Sequence, residues 1–290
     1  MTARERGEPS AREGRQDLTA EELRTLDRAE LILTARCMRA RGFWYDSDAS
    51  GSAPPAEQTA RNPGRRIFPY GINDVAWART HGFGEAGAGE RHGRPSPARN
   101  ANLRYFEGLS PKRQKEYQVS LGGTRAQTVS VRLTNGYTIQ GSKDGCMSEA
   151  QHLLYGDFTT WYRASTIVNN LDAESSPKIF EDPAYKKAVS RWSSCMAGAG
   201  HPADSPQELR ERFVERFGEL PEESREAVER RLAVAEAKCV RATGLARTGT
   251  VLEERYAEQE RAFRRAEIET RHRMRLDALP RAADIVSRSN

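Results

Sequence analysis

Four cysteines are the residues of this chain whose type and spacing could do chemistry: Cys37, Cys146, Cys195 and Cys239. Four thiols could form two disulfides, ligate a metal ion, or remain in the core as small buried hydrophobic groups. A structural zinc site usually contains two cysteines separated by two to four residues. Even the closest two here, Cys195 and Cys239, are far outside that spacing. We therefore expect two disulfides and no metal site, with buried thiols as the alternative.

Three of the cysteines occur in the same local sequence. Cys37, Cys195 and Cys239 are each followed by Met or Val, and a glycine lies five residues after each cysteine. This pattern predicts that each cysteine faces the core in the last turns of a helix, and that the glycine ends the helix in the left-handed conformation. The fourth cysteine, Cys146, follows Gly145 at a predicted helix start.

The order of the predicted helices favours one pairing of the cysteines over the other two. One helix separates the helices of Cys195 and Cys239, so these two helices should run parallel and end on the same side. Cys37 and Cys146 then remain, and they join a helix end to a helix start, which antiparallel neighbours bring together. Loops of these lengths would contribute about 4 and about 5 kcal/mol by the chain-entropy relation. The other two pairings stay open, because all four cysteines could lie at one end of a helix bundle.

Helical periodicity and capping signals run through most of the chain, so helices must position these cysteines. Thr19 and Glu22 form a capping box, which predicts the start of the first helix. A short helix is predicted near 73–79. A long last helix is predicted over about 250–278 and is ended by Pro280.

The one clear β signal lies within residues 127–140, where two β-prone runs flank Asn135-Gly136. Asn-Gly favours a type I′ hairpin turn, because both residues tolerate a positive φ. Since an isolated hairpin is only marginally stable in water, we expect it to pack on helices.

The predicted fold class is mainly α: a multi-helix bundle with one β-hairpin, a long loop-rich insertion over 46–100 and a long C-terminal helix. Residues 1–17 are polar and are predicted to be a disordered tail, and 280–290 a second tail. Residues 18–279 are predicted to form a single domain, because the disulfide proposed for the first helix ties it to later helices across the insertion.

The excess of basic residues raises the question of whether this chain binds nucleic acid. The 290 residues include 46 basic and 41 acidic ones, giving a formal net charge of +5, and 39 of the basic residues are arginine. Over 256–281 seven arginines are interleaved with five acidic residues. A phosphate-binding face needs an unopposed basic patch instead. The pattern therefore favours ion pairs on an exposed helix, and we do not expect nucleic acid as a partner.

The sequence contains none of the familiar catalytic or cofactor motifs. A nucleophile elbow, a P-loop, a dinucleotide-binding fingerprint, an HExxH zinc motif and an EF-hand loop are all absent from it. His81 and His92 share a glycine-rich loop with Glu85 and Glu90, which could form an acid–base or metal site. We interpret these four as solvated loop residues. The chain is therefore predicted to be a non-enzymatic protein without a cofactor.

Three aromatic clusters, at 43–45, 67–70 and 161–162, could line a ligand groove. Clusters of this kind more often anchor loops to a core, and we interpret them in that way. If the chain has a binding surface, we expect it where the 46–100 insertion covers the helices.

Several short motifs together resemble a known group of proteins. The motifs are Cys37-Met38 with Gly42-Phe43, Tyr70-Gly71, Gly145-Cys146, Trp192 with Cys195-Met196, and Cys239. They resemble uncharacterised secreted proteins and lipoproteins of high-GC bacteria, over about residues 19–270. The resemblance implies an extracytoplasmic helical protein and no particular activity. This chain departs from the group because it lacks an evident signal segment, and because Arg36 precedes Cys37 where a lipoprotein requires a small residue.

Two hypotheses about function follow. The leading one is a disulfide-stapled, extracytoplasmic helical interaction or accessory protein, with a protein or the cell envelope as its partner. The alternative is a cytoplasmic Arg-rich helical protein with reduced cysteines that binds an acidic partner such as nucleic acid. The sequence as given has no apolar run long enough for a membrane span or a secretory signal.

Overall fold

The helices that carry the cysteines belong to a mainly α fold with one β-hairpin, which confirms the predicted fold class. The computed structural model describes residues 17–48, 66–84 and 101–289. Almost all of the tail predicted over 1–17 and much of the 46–100 insertion therefore lie outside the described residues. In chain order the elements are α1 (Ala20–Ala40), α2 (Val75–His81), α3 (Ala101–Glu107), α4 (Pro111–Gly122), β1 (Thr128–Arg132), β2 (Thr138–Ser142), α5 (Cys146–Tyr155), α6 (Phe158–Asn169), α7 (Leu171–Glu181), α8 (Pro183–Gly198), α9 (Pro206–Phe217), α10 (Glu222–Thr243), α11 (Leu245–Phe263) and α12 (Arg265–Ser287).

Local capping chemistry sets several of these boundaries. At the start of α1, the Thr19 hydroxyl accepts a hydrogen bond from the Glu22 N–H at 3.2 Å, and the Glu22 carboxylate accepts one from the Thr19 N–H at 2.8 Å. This reciprocal pair is the predicted capping box, and it satisfies N–H groups that a helix start leaves without intrahelical partners. At the end of α10, Gly244 adopts a left-handed φ of 70° and ends the helix as predicted.

A first packing group surrounds α1. This helix packs against α5 and α12, and α12 also packs against α6, which supports the hairpin. The core between them contains Leu26 and Ala29 of α1, Leu154 of α5, Trp161 of α6 and Leu279 of α12. Burying a large apolar side chain stabilises the fold by roughly 1.5–3 kcal/mol, so this cluster holds the four helices together.

A second packing group is formed by α7, α8, α10 and α11. Its core contains Trp192 and Met196 of α8, Leu245 and Leu252 of α11, and Tyr70 from the predicted insertion. The longer described part of the insertion, residues 66–84, is therefore integrated into this core. It includes α2, the short helix predicted near 73–79, which packs on α10.

The hairpin is present, but the predicted turn type is wrong. Val131 pairs with Ile139 in an antiparallel register, and the Leu133 N–H bonds the Tyr137 carbonyl across a three-residue loop. Gly136 has a positive φ of 89°, whereas no non-glycine residue in the described chain does, so the loop is not type I′. The Asn135 side chain explains the difference, because its oxygen accepts from the Tyr137 N–H at 3.1 Å and its amide nitrogen donates to the Ala173 carbonyl at 3.2 Å.

The prediction that Pro280 ends the last helix is also wrong. The predicted helix over 250–278 is divided at Arg264 into α11 and α12, and α12 continues through Pro280 to Ser287. Pro280 lies on the exposed face, so water can solvate the carbonyl group that the proline leaves unpaired. Residues 280–287, predicted as tail, are thus helical, and the buried Ala282 packs in the first core.

The length of α12 does not make it a membrane helix. It has 23 residues, but neither α12 nor any other helix in the described ranges is long and apolar enough to cross a membrane.

Candidate functional site

The structure brings the four cysteines together in the two pairs that the sequence analysis puts first. Cys37 at the end of α1 and Cys146 at the start of α5 have Cα atoms 5.5 Å apart, with their sulfur atoms at 1.95 Å. Cys195 of α8 and Cys239 of α10 have Cα atoms 5.7 Å apart, with their sulfur atoms at 2.01 Å. Both Cα separations are typical of disulfides. Each packing group therefore contains one cysteine pair.

The predicted histidine loop is only partly described. The His81 ring stacks on the ring of Trp77 within α2, with centroids 3.8 Å apart, and its Nδ1 atom lies 3.3 Å from the Trp77 carbonyl oxygen. His92, Glu85 and Glu90 lie outside the described residues. Across the ranges that the structure describes, no group of three His, Cys, Asp or Glu side chains could hold a metal ion.

A groove opens where the insertion covers the helices, which is where the sequence analysis expects a binding surface. Its volume is about 590 Å³, within the range of roughly 300–1,000 Å³ that is usual for binding pockets. One wall is formed by the insertion and the other by the outer face of α9. We call it the α9 groove, and it is lined by Arg66, Ile67, Phe68, Pro69, Gly71, Ile72, Phe83, Pro206, Gln207, Arg210, Glu211, Val214 and Glu215.

Large apolar side chains are exposed on both walls of the α9 groove. Ile67 on the insertion is 81% exposed and Val214 on α9 is 50% exposed. Phe68 and Phe83 extend the apolar lining between them. Single exposed apolar residues are normal on a protein surface, but a contiguous apolar lining bordered by polar groups is typical of an interaction site.

A buried carboxylate lies beneath the groove and holds its two walls in place. Glu236 of α10 is 0% exposed, and its Oε1 atom accepts from the Ile72 N–H at 3.1 Å and from Arg210 Nη2 at 3.0 Å. The first bond fixes the insertion and the second fixes α9. Burial raises the pKa of Glu236, and the attraction of Arg210 and these hydrogen bonds act in the opposite direction.

A glycine lets the insertion pass close over α10. Gly71 has a φ of 94°, and a Cβ atom added there would lie 2.8 Å from the Val240 side chain and 3.3 Å from that of Pro206. Any other residue would therefore strain the backbone and push the wall of the groove outward. The position of Ile72 above Glu236 depends on this close approach.

The lining of the α9 groove contains two arginines and two glutamates, but both arginines are paired with carboxylates outside the lining. Arg66 is paired with Asp74 at 2.8 Å, and Arg210 is neutralised by the buried carboxylate below it. Glu211 accepts a hydrogen bond from a neutral amide, and within the described residues neither Glu211 nor Glu215 forms an ion pair with a cation. Two exposed carboxylates of α9 therefore border an apolar groove.

The three aromatic clusters have different environments. Phe43 is buried with its ring edge-on to Tyr117, at a centroid distance of 5.4 Å. Trp161 is buried and stacks on Tyr155 at 3.5 Å. These two anchor the core, as the sequence analysis interprets them, whereas Phe68 of the third cluster lines the α9 groove.

Two buried acids of α10 that hold the insertion are not among the site residues predicted from the sequence. Glu236 contacts Ile72, and Glu229 lies against Gly82, where an added Cβ atom would be 2.8 Å from its side chain. Helical spacing could have indicated them, because both acids lie on the same face of α10 as the fully buried Ala233 and Ala237. Carboxylates on an apolar helix face indicate a polar group from another segment.

In comparisons with known proteins, no protein-family model, no curated protein and no solved structure matches this chain.

Proposed function

We propose that this chain is a non-enzymatic, extracytoplasmic interaction protein, stapled by two disulfides, which binds an apolar and basic segment of a partner protein in the α9 groove. The observation that carries the proposal is the groove itself, with apolar side chains exposed on both walls and two carboxylates on its border. The fold supplies the scaffold, because both walls are fixed to α10 by the same buried carboxylate.

The cysteine pairs support the extracytoplasmic location. Disulfides form and persist in oxidising compartments and are rare in the cytosol, where thiols are kept reduced. Both pairs connect distant parts of the chain, with sequence separations of 109 and 44 residues. Crosslinks of this kind stabilise a fold mainly by restricting the unfolded chain. They would be useful to a protein that works outside the cell.

The chemistry of the groove defines the partner. An apolar segment would remove Ile67 and Val214 from water, at roughly 25 cal/mol for each Å² of apolar surface buried. Lysine or arginine residues beside that segment would complement Glu211 and Glu215, which would increase specificity and the rate of association. We therefore expect the partner segment to combine apolar anchors with basic flanks.

The oxidation state of the cysteines is tested by alkylation in the native cell. Free thiols are trapped in intact cells, the protein is isolated without reductant, and its peptides are analysed by mass spectrometry. We expect Cys37 linked to Cys146 and Cys195 linked to Cys239, with no alkylated cysteine. Four alkylated cysteines would overturn the extracytoplasmic location and favour the cytoplasmic alternative.

The partner is tested by selecting random peptides displayed on phage against the oxidised full-length chain. We expect the selected peptides to combine apolar residues with lysine or arginine. Their affinity should fall at least roughly tenfold for the double variant Ile67→Ser, Val214→Ser, because the apolar contacts are lost while the charge of the groove is unchanged. Val251→Ser is the matched control, since Val251 is 49% exposed and is on α11.

A charge-reversal variant distinguishes the contribution of the acidic border to binding from that of the apolar lining. In the variant Glu211→Lys, Glu215→Lys, the selection should shift from basic to acidic peptides. The proposal fails if no peptide is enriched, or if the enriched peptides bind equally well to the groove variants and to Val251→Ser.

A further inference from the structure

We propose that a second cavity, between the hairpin and helices α5 and α6, binds a neutral saccharide. The cavity has a volume of about 400 Å³, which is within the usual range for small-molecule sites. We call it the hairpin cavity. It is lined by Gly122, Gln140, Gly141, Ser142, Met147, Ser148, Gln151, Phe158, Trp161, Tyr162, Ser165, Thr166 and Asn169.

The lining of the hairpin cavity contains no charged residue, although 30% of the residues in this chain are charged. Four other cavities among the described residues each include at least one charged side chain in their lining. Three carboxamides, four hydroxyl-bearing residues besides tyrosine, and three aromatic rings line this cavity instead. An anion or a cation would find no countercharge there, so the chemistry favours a neutral ligand.

Two carboxamides have their nitrogen atoms committed to protein partners. Gln140 Nε2 donates to Ser130 Oγ at 3.2 Å, and Gln151 Nε2 donates to Glu30 Oε1 at 2.8 Å. These bonds fix the orientation of both amides and leave their carbonyl oxygens as acceptors. The hydroxyl groups of a sugar are the donors that such oxygens would recognise.

A buried hydroxyl adds a polar group that the fold itself does not use. Ser165 Oγ is inaccessible to solvent and has no hydrogen-bond partner among the described residues. A buried polar group without a partner costs roughly 1–3 kcal/mol, and it usually has a water or a ligand as its partner. Ser165 lines the hairpin cavity, and a rotation of its side chain about χ1 would bring this hydroxyl within reach of a sugar hydroxyl.

An aromatic ring is held rigidly at the strand side of the cavity. The Tyr162 ring lies against Gly141 of β2 so closely that an added Cβ atom would overlap it. Trp161, the preceding residue, is fixed by its stack on Tyr155. Aromatic faces pack against the apolar C–H faces of sugar rings, whereas the carboxamides and hydroxyls recognise the sugar hydroxyls. A fixed ring beside fixed amides is therefore suited to a saccharide.

Three charged residues outside the lining contact residues that line the cavity. Glu30 is held by Gln151, Asp144 is held by Ser142, and the Arg275 guanidinium lies 5.9 Å from the centre of the Trp161 ring. None of these three charged residues is part of the lining. They orient the neutral side chains and leave the cavity itself uncharged.

The proposal is tested by titrating the oxidised full-length chain with chitotriose, cellotriose, maltotriose and mannotriose, using calorimetry and ligand-observed NMR. We expect saturable binding of at least one of these trisaccharides. The double variant Gln140→Ala, Asn169→Ala changes two exposed side chains and should weaken that binding at least roughly tenfold, because it removes hydrogen bonds to the ligand. Ser165→Ala should weaken it less.

The matched control is Gln207→Ala, which removes a carboxamide from the α9 groove and should leave saccharide binding unchanged. A trisaccharide of galacturonic acid should bind more weakly than the neutral sugars, since no cation in the lining can pair with its carboxylates. The proposal is overturned if no neutral trisaccharide binds at tens of millimolar, or if the double variant binds as well as the unmodified chain. The α9 groove proposal is independent of both results.

Discussion

Gly249 of α11 is the point at which the aromatic ring of Tyr70 enters the second core. The ring lies so close to this glycine that a Cβ atom added there would overlap it. Tyr70 is also in edge-on contact with Tyr185, at a centroid distance of 5.8 Å, so its ring has little freedom to move away. The position of the insertion therefore depends on the absence of a side chain at residue 249.

We expect Gly249→Ala to lower the free energy of unfolding by about 1–3 kcal/mol, because the added methyl group overpacks a filled core. Urea denaturation followed by circular dichroism measures the change. Gly198→Ala is the matched control, since Gly198 is also helical but has open space around its Cα atom. It should be neutral or stabilising by up to about 1 kcal/mol. Equal effects of the two substitutions would contradict the packing argument.

Glu236 makes the stability of this fold depend on pH. Burial raises the pKa of this carboxyl group above its ordinary value of 4.5. A carboxyl group with a higher pKa in the folded chain contributes stability below its unfolded pKa and loses that contribution as the pH rises through its folded pKa. At neutral pH the ionised group therefore carries a net burial cost, which the Arg210 ion pair only partly offsets.

We expect the stability of the unmodified chain relative to Glu236→Gln to decrease as the pH rises above 4.5, the ordinary pKa of the group. Glutamine keeps the acceptor for the Ile72 N–H but has no proton to lose. Glu236→Ala removes that acceptor and should cost about 1–3 kcal/mol. Urea denaturation at a series of pH values measures both effects. A difference from Glu236→Gln that does not change with pH would refute the titration argument.

At the residue scale, the sequence predicted the cysteine pairs but not the buried carboxylate beneath the α9 groove. The positions of Cys37, Cys195 and Cys239 near helix ends could be predicted because a glycine that ends the helix lies five residues after each of them. Glu236 could not be identified in that way, since its partner Ile72 is 164 residues away in the chain. Whether a helical glutamate is solvated or buried depends on what packs on it, and local sequence does not contain that information.

At the scale of elements, capping residues and glycines predicted helix boundaries more reliably than proline did. A cap such as Thr19 acts through hydrogen bonds to its own first turn, so it can be recognised from neighbouring residues. Pro280 did not end α12, because an exposed proline removes one backbone hydrogen bond while the apolar face of the helix continues to be buried. The predicted type of the hairpin turn was also wrong because of a contact outside the local sequence: the Asn135 side chain donates a hydrogen bond to α7.

We expect Pro280→Ala to stabilise the chain by about 1–3 kcal/mol, because proline in a helix interior costs up to about 3 kcal/mol relative to alanine. The matched control is Pro183→Ala at the start of α8, where proline costs no hydrogen bond and should be neutral or favourable. Thermal denaturation of the two variants measures the contrast. A loss of stability in Pro280→Ala would show that the proline is required in α12.

At the scale of the whole molecule, the chain crosses between its two packing groups at neighbouring points. α6 is followed by α7 at Asn170, and α11 is followed by α12 at Arg264. Arg264 Nη2 bonds Glu174 Oε1 at 2.8 Å, and the same oxygen accepts from the Thr134 N–H at 2.6 Å. Helix α7, helix α12 and the hairpin loop are therefore tied together at this joint.

The joint depends on one cation between buried acids. Burial alone would raise the pKa of Glu174, but hydrogen bonds from Arg264 and from Thr134 outweigh it and hold the pKa below the ordinary value. Arg264 also lies 3.4 Å from Glu260, which bonds Lys178 at 2.7 Å. The alternating charges of 256–281 predict ion pairs on an exposed helix surface. That interpretation does not hold for Arg264 and Glu260, which are largely buried.

We expect Arg264→Ala to lower the free energy of unfolding by about 3–5 kcal/mol, because it leaves the carboxylates of Glu174 and Glu260 buried without their shared cation. Its neighbour Arg265 is exposed, so Arg265→Ala is the matched control and should change stability by less than about 0.5 kcal/mol. Because the two packing groups meet at this joint, Arg264→Ala should also broaden the urea transition or divide it in two. A single transition with unchanged slope and midpoint would mean that other contacts hold the groups together.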